Sequence, residues 1–205
     1  MKGDNQMKQI IIATHNPGKA EEFKDLFSHY NIKAQSLLDI PANLPDIGET
    51  GHTFSENAAL KAQGIASIVK QPVLADDSGL MIDALDGRPG IFSARYAGED
   101  KNDEANIQKV LNELKGVNIN NRTARFICVL ALAHPNEETI FKTGYCEGTI
   151  GFTTVGTKGF GYDPIFIPKG HKRTMAEMSM TEKGRLSHRS AAMVQLETWL
   201  KGSNH

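Results

Sequence analysis

Short apolar runs alternate along this chain with amphipathic segments, which is the pattern of an α/β protein. The run at 126–133 is almost continuously apolar, as in a central strand covered on both faces. Residues 139–150 alternate more strongly and can pair with that run as an antiparallel neighbour through a turn at 135–137. The predicted strands are residues 9–13, 33–38, 72–74, 80–82, 126–133 and 139–150.

Four segments place apolar residues three and four apart and therefore predict helices with one buried face. Thr53 and Glu56 form a capping-box pattern where the second of these helices begins. A short helix is also predicted within 174–180, and 83–98 is a long irregular stretch of the kind that often carries function. The four helices are residues 19–30, 53–70, 103–114 and a C-terminal segment that runs through Trp199.

The 205 residues are 40% apolar and 23% charged, as in an ordinary globular protein. The net charge of −1 would not attract nucleic acid or an anionic membrane, so neither partner is expected. No apolar run reaches the roughly 18 residues that a membrane span needs. Cys128 and Cys146 lack metal-ligand and CxxC spacing, so a reducing, cytoplasmic setting is expected. We interpret residues 1–6 as a flexible N-terminal extension and 7–202 as a single domain.

Two adjacent carboxylates, Asp76 and Asp77, lie between the apolar runs 72–74 and 80–82. Charges rarely occur so close to a core without a partner or an ion, and Gly79 would let the backbone turn tightly or approach a ligand. A carboxylate pair where a strand ends is suited to holding a divalent cation and orienting a water molecule. The alternative is a solvated turn, because Asp, Ser and Gly are common turn residues.

Three other segments carry candidate chemistry. The loop from Thr14 to Lys19 links a strand to a helix, where free amides and a lysine suit phosphate oxygens, although it is not a P-loop and most such loops bind nothing. The glycine-rich segment 159–164 presents Phe160 either as a platform for a base or as a core residue. Ser187-His188-Arg189 precedes the last helix, where it would normally be a cap followed by surface charges.

Together these segments resemble the motifs of the inosine triphosphate pyrophosphatase family, also called Ham1-like. Each motif is weak alone, but the ordered set spans roughly residues 8–200 and is highly specific. His15 stands where many members carry glycine, which we expect to be neutral. The matching motifs are Thr14-His15-Asn16-Pro17-Gly18-Lys19, Glu49-Thr50-Gly51, Phe54-Ser55-Glu56-Asn57-Ala58, Ala75-Asp76-Asp77-Ser78-Gly79-Leu80, Pro89-Gly90-Ile91-Phe92-Ser93-Ala94-Arg95-Tyr96, Gly159-Phe160-Gly161-Tyr162-Asp163-Pro164, Lys183 and Ser187-His188-Arg189.

The resemblance implies an elongated, two-lobed α/β fold, with a long central mixed sheet flanked by helices and an active site in the cleft between the lobes. It implies a homodimer that uses Mg²⁺. The implied reaction is hydrolysis of ITP, dITP, XTP or dXTP to the monophosphate and pyrophosphate, which clears deaminated purines from the nucleotide pool.

The resemblance also assigns roles to individual residues. Asp77 is the expected general base with Asp76 beside it, and Glu49 and Asp77 are the expected metal ligands. His188 and Arg189 can donate to a 6-oxo group, which adenine replaces with an amine, so they are expected to reject ATP. The full set of expected substrate contacts is Thr14, His15, Asn16, Lys19, Ser78, Phe160, Gly161, Tyr162, Asp163, Lys183, His188 and Arg189.

Two other functions remain open at the level of sequence. A Maf-type nucleotide pyrophosphatase would prefer modified pyrimidine nucleotides, and the 160–163 motif with Ser187-His188-Arg189 argues against it. A nucleotide-binding regulator without catalysis is a second alternative, which the Asp76-Asp77 pair and Lys19 argue against.

Asn57 and Lys61 are four residues apart and therefore share a helix face. That face can point either at the site or at water, and the sequence alone favours water.

Overall fold

The computed structural model describes residues 8–40, 44–45, 47–135 and 137–202. The extension predicted at 1–6 lies outside these residues, as does Asn136 of the predicted turn at 135–137. Within the described residues, no helix combines the length and the apolar character needed to cross a membrane. Both cysteines are described and buried, and neither forms a disulfide.

One mixed sheet runs through the described residues in the strand order β2-β1-β3-β4-β5-β6. The first strand pairs in parallel with β2 and with β3, whereas β5 and β6 are antiparallel. The predicted α/β fold with a mixed sheet is therefore confirmed. The strands are β1 (Gln9–Ile12), β2 (Lys33–Ser36), β3 (Val73–Ile82), β4 (Thr123–Ala133), β5 (Ile140–Ile150) and β6 (Phe166–Pro168).

The helices begin where the sequence supplies caps. Asn16 caps the first, with proline following it as the first helical residue, and Thr53 caps the second. The predicted capping box is only half formed, because the Glu56 carboxylate accepts from the backbone N–H of His52 rather than from that of Thr53. The helices are α1 (Pro17–Ser28), α2 (Phe54–Val69), α3 (Asp103–Glu113), α4 (Met180–Leu186) and α5 (His188–Gly202).

The chain divides into two compact units, and β3, β4 and β5 each contribute residues to both. The first unit comprises the described residues of Met1–Asp77, Val129–Lys142 and Gln195–His205. Its interior includes all of β1 beyond Gln9 and the aromatic rings of Phe23 and Phe27 from α1.

The second unit comprises Ser78–Cys128 and Thr143–Val194. Its apolar core gathers Leu80 and Ile82 of β3, Val110 of α3, and the rings of Phe126 and Phe166. The two phenylalanine rings contact each other with centroids 4.6 Å apart. Each unit thus has its own buried apolar cluster.

One local prediction was wrong, and one helix was missed. Residues 72–74 and 80–82 are not separate strands joined by a turn at Gly79, because β3 is continuous and Asp76 and Asp77 lie inside it. The segment 174–180 contains a short 3-10 helix, Met175–Glu177, whereas the helix α4, which begins at Met180, was not predicted. The irregular stretch 83–98 does include a 3-10 helix, Gly90–Arg95.

Candidate active site

The loop between β1 and α1 is shaped by its own polar side chains. The Asn16 carboxamide oxygen accepts from the backbone N–H of Lys19 at 3.1 Å, and Thr14 Oγ1 accepts from the backbone N–H of Asn16 at 3.1 Å. His15 is exposed, whereas Thr14 is buried. The loop therefore has a fixed conformation at the positive end of the α1 dipole, where an anion is favoured.

Asp76 and Asp77 are both buried in β3, at 3% and 7% exposure. Successive side chains of a strand point to opposite faces, so the two carboxylates meet different helices. Asp76 Oδ2 lies 2.7 Å from Lys19 Nζ of α1, and Asp77 Oδ2 accepts from Asn57 Nδ2 of α2 at 3.2 Å. These partners allow carboxylates inside a strand, where the sequence suggested a turn.

Lys61 joins the same group of charges from α2, one turn beyond Asn57. Its ammonium donates to Glu49 Oε1 at 3.0 Å and to the Asp76 carbonyl at 2.7 Å, and it lies 3.7 Å from Asp77 Oδ1. We call Lys19, Glu49, Lys61, Asp76 and Asp77 the carboxylate–lysine cluster. All of its members belong to the first unit.

Lys61 and Asn57 were not among the predicted site residues. The signal that could have found them was their spacing of four on α2, which puts them on one face together. The Asn57 carboxamide is fully buried and also accepts from the backbone N–H of Gly51 at 2.8 Å, so it holds the loop that carries Glu49. The face points at the carboxylates, so the interpretation of a solvated face was wrong.

The pKa of Asp77 suits proton transfer near neutral pH. Burial raises the pKa of Asp77 from 3.8 to about 6, although the Lys61 ammonium and the Asn57 amide oppose that rise. Burial also disfavours the charge on Lys61, but the nearby Asp76, Asp77 and Glu49 carboxylates outweigh it and raise the ammonium pKa. A carboxylate with a pKa near neutrality, beside a lysine that stays charged, can accept a proton from water.

The oxygen donors of this cluster fit a hard divalent cation. Among the residues that the structure describes, no group of three or more His, Cys, Asp or Glu side chains is arranged as a metal cage. Mg²⁺ does not need such a cage, because it usually takes one or two protein carboxylates together with water and substrate phosphate. Glu49 and Asp77 already converge on one cation, the Lys61 ammonium, and the three carboxylates outnumber the two lysines.

In the second unit, Phe160 lies on a loop tied down by hydrogen bonds. Asp163 Oδ2 accepts from the Phe160 backbone N–H at 3.0 Å and from Lys183 Nζ. The Lys183 ammonium lies 4.6 Å from the centroid of the Phe160 ring, which is 53% exposed. Asp163 and Lys183, predicted as substrate contacts, are thus paired with each other beside the ring.

Neighbouring residues hold the rest of this loop. The Gly161 backbone N–H donates to Asp103 Oδ2 of α3 at 2.7 Å, and the Tyr162 hydroxyl donates to the Ser93 carbonyl at 2.7 Å. Tyr162 is 4% exposed, and burial is the main cause of its strongly raised hydroxyl pKa. The structure therefore gives Gly161 and Tyr162 packing contacts, and their predicted role at the substrate remains a prediction.

Ser187, His188 and Arg189 open α5. Ser187 Oγ accepts from the backbone N–H of Ser190 at 3.1 Å, as an N-cap does. Arg189 is only 4% exposed, and the His188 ring stacks on Phe126 with centroids 5.0 Å apart and planes at 17°. The cap is as expected, but Arg189 is buried and His188 is half-buried, so neither is a solvated surface group. Ser78, another predicted contact, is half-buried in β3.

This α/β fold is that of the solved Ham1 proteins. The structure of the Staphylococcus aureus Ham1 protein matches with a TM-score of 0.88 and 43% identity, over 96% of this chain and all of that one. A HAM1 protein from Coxiella burnetii matches with a TM-score of 0.89 and 42% identity over the same shares. A model of the Ham1 family covers residues 10–199, and the chain belongs to the Ham1 family. The resemblance found in the sequence is thereby confirmed.

Curated relatives are similar over nearly their whole length. A dITP/XTP pyrophosphatase of Oceanobacillus iheyensis is 61% identical over 95% of this chain and 98% of its own. The protein of the same name from Bacillus subtilis is 53% identical over the same shares.

Proposed function

We propose that this chain is a nucleoside triphosphate pyrophosphatase that hydrolyses dITP, XTP and related deaminated purine nucleotides to the monophosphate and pyrophosphate. The observation that carries the proposal is the position of Asp77, a buried carboxylate with Lys61 and Asn57 on one side and the Lys19–Asp76 pair next to it in the strand. The names of its full-length relatives, at 53–61% identity, support the same activity.

The chemistry needs a base for water and positive charge for the phosphates. Asp77 is the proposed general base, since its pKa of about 6 lets it accept a proton near neutral pH. A nucleoside triphosphate brings about four negative charges, and Lys19, Lys61 and the amides at the start of α1 are the proposed donors to them. Thr14 and Asn16 shape that loop, so their proposed contribution is to present its amides.

We propose Mg²⁺ as the cofactor, held by Glu49 and Asp77. When bound, it would screen the phosphate charge and favour departure of pyrophosphate. The support is the donor set, since Glu49 and Asp77 both face the same ammonium group and every donor is a hard oxygen. The proposal of a homodimer is carried over from the resemblance. The proposal of a cytoplasmic location rests on the two cysteines, which lack metal-ligand and CxxC spacing.

The base of the nucleotide is assigned to residues of the second unit. The exposed face of Phe160 can stack on any purine, because stacking does not depend on base identity. His188 and Arg189 are the proposed donors to the 6-oxo group of hypoxanthine or xanthine, and the amine of adenine would leave such a donor unpaired. A Maf-type activity would instead require preference for pyrimidines.

Ion chromatography of the products formed from ITP with Mg²⁺ tests the proposal. We expect equimolar IMP and pyrophosphate, loss of the reaction in EDTA, and slow turnover of ATP, UTP and dTTP. Accumulation of IDP and orthophosphate would contradict the assigned bond cleavage. Faster turnover of UTP or dTTP than of ITP would support the Maf-type alternative, and absence of turnover with tight ITP binding would support a regulator.

A further inference from the structure

Helix α5 begins directly against the backbone of strand β5. Gly144 is a buried residue of that strand, and a Cβ built on it would lie 2.8 Å from the Ala191 carbonyl carbon and closer still to Ala192 N and His188 O. His188 O and Ala192 N are the acceptor and donor of the first α-helical hydrogen bond that starts at His188. Because these are backbone atoms, they cannot move aside as the end of a flexible side chain does.

The His188 side chain is held by a second neighbour. Its imidazole lies on the ring of Phe126 in β4, with centroids 5.0 Å apart and planes at 17°. Phe126 is only 8% exposed and is itself braced by Phe166, at a centroid distance of 4.6 Å. Offset stacking of two flat rings fixes both the height and the tilt of the imidazole.

From these contacts we infer that Gly144 and Phe126 are positioning residues for base selection, which act by placing His188 and Arg189. This inference rests on the proposed function, because it assigns those two side chains to the 6-oxo group. Gly144 sets how deeply the first turn of α5 lies on the sheet, and Phe126 sets the plane of the imidazole. Neither residue needs to touch the substrate.

The distance by which a side chain at position 144 would displace α5 predicts the effect on turnover. Ordinary van der Waals contact begins at 3.4 Å, so a methyl group at position 144 must push the start of α5 away by roughly 1 Å. A misplacement of about 1 Å can cost roughly 10²-fold in rate when hydrogen bonds must be aligned. Stacking on Phe160 tolerates such a shift better, so turnover of ITP should fall more than that of ATP.

The experiment compares Gly144→Ala and Phe126→Leu with Gly151→Ala. Gly151 is a matched control, because it is also buried and a Cβ there would have its nearest neighbours at 3.6 Å, an ordinary contact. Two quantities are measured: the ratio of kcat/KM for ITP to that for ATP, and the proton chemical shifts of the His188 imidazole. The imidazole signals are identified by their loss in His188→Gln.

We expect the ITP/ATP ratio to fall about 10- to 100-fold in Gly144→Ala and about 10-fold in Phe126→Leu, and to stay within about twofold of wild type in Gly151→Ala. The ring-current shift of His188 should disappear in Phe126→Leu and change in Gly144→Ala. If Gly144→Ala does not fold, the ITP/ATP ratio of Phe126→Leu alone tests the inference, since leucine keeps position 126 apolar.

An unchanged ITP/ATP ratio of kcat/KM in the folded Gly144→Ala and Phe126→Leu variants would overturn the inference, even if the chemical shifts of the His188 imidazole changed. That result, with a wild-type enzyme that prefers ITP, would leave the proposed function intact. A wild-type enzyme without any preference for ITP over ATP would overturn the proposed base selection itself and this inference with it.

Discussion

Asp77→Asn should make the protein more stable at neutral pH while it removes activity. The Asp77 side chain is 9% exposed, and burial is the main reason why its pKa is raised from 3.8 to about 6. A carboxyl whose pKa is higher in the folded than in the unfolded chain binds its proton more tightly when folded. As the pH rises from about 4 to 6, the unfolded chain loses this proton before the folded chain does, so the free energy of unfolding falls.

The magnitude follows from the two pKa values. A rise from 3.8 to about 6 corresponds to about 3 kcal/mol at pH 8, at roughly 1.4 kcal/mol per pH unit. The cost develops as the pH rises from about 4 to 6 and is small at pH 4, which is close to the unfolded pKa, so the unfolded chain also keeps much of its proton there. Asparagine keeps the shape and can still accept from Asn57 Nδ2, which lies 3.2 Å from the carboxylate.

Urea unfolding of both proteins at pH 4, 6 and 8 measures this difference. EDTA must be present, because a cation bound to the carboxylates would add its own stabilisation. Asp25→Asn, at an exposed position of α1, is the control and should stay within about 0.5 kcal/mol of wild type at every pH. Turnover of ITP by Asp77→Asn should fall by roughly 10²-fold or more, as expected for loss of a general base. A variant less stable than wild type at pH 8, or a difference that does not grow with pH, would refute the burial argument.

Two further predictions concern the other charges and the base. Lys61→Met leaves Glu49 and Asp77 without their shared cation and should cost about 3 kcal/mol in urea unfolding at pH 7.5. Lys201→Met, which breaks the exposed pair of Lys201 with Glu197, should cost less than about 1 kcal/mol. Equal costs would contradict the role given to burial. Phe160→Ala should lower kcat/KM for ITP and ATP by similar factors, while Arg189→Ala should cost about 1–3 kcal/mol with ITP and far less with ATP. An Arg189→Ala enzyme that folds and keeps its preference for ITP would refute the assigned base recognition.

Local patterns in the sequence were sufficient for most of the regular elements. Helices α1 and α2 were predicted because their apolar residues recur with the helical period, and that period reports which face is buried. Strand β4 was predicted because an uninterrupted apolar run has few other stable placements. The family was also predicted from the sequence, because its motifs occur in a fixed order along the chain.

What the sequence alone did not reveal are the contacts between residues far apart in the chain. Asp76 and Asp77 have the composition of a turn, yet they lie inside β3 because Lys19, 57 residues away, and the α2 side chains compensate their charge. The pairing of Asp163 with Lys183, the burial of Arg189 and the inward direction of Lys61 are of the same kind. Periodicity reports burial along one element, but a charge partner is chosen by how the elements pack, so only the tertiary structure decided these contacts.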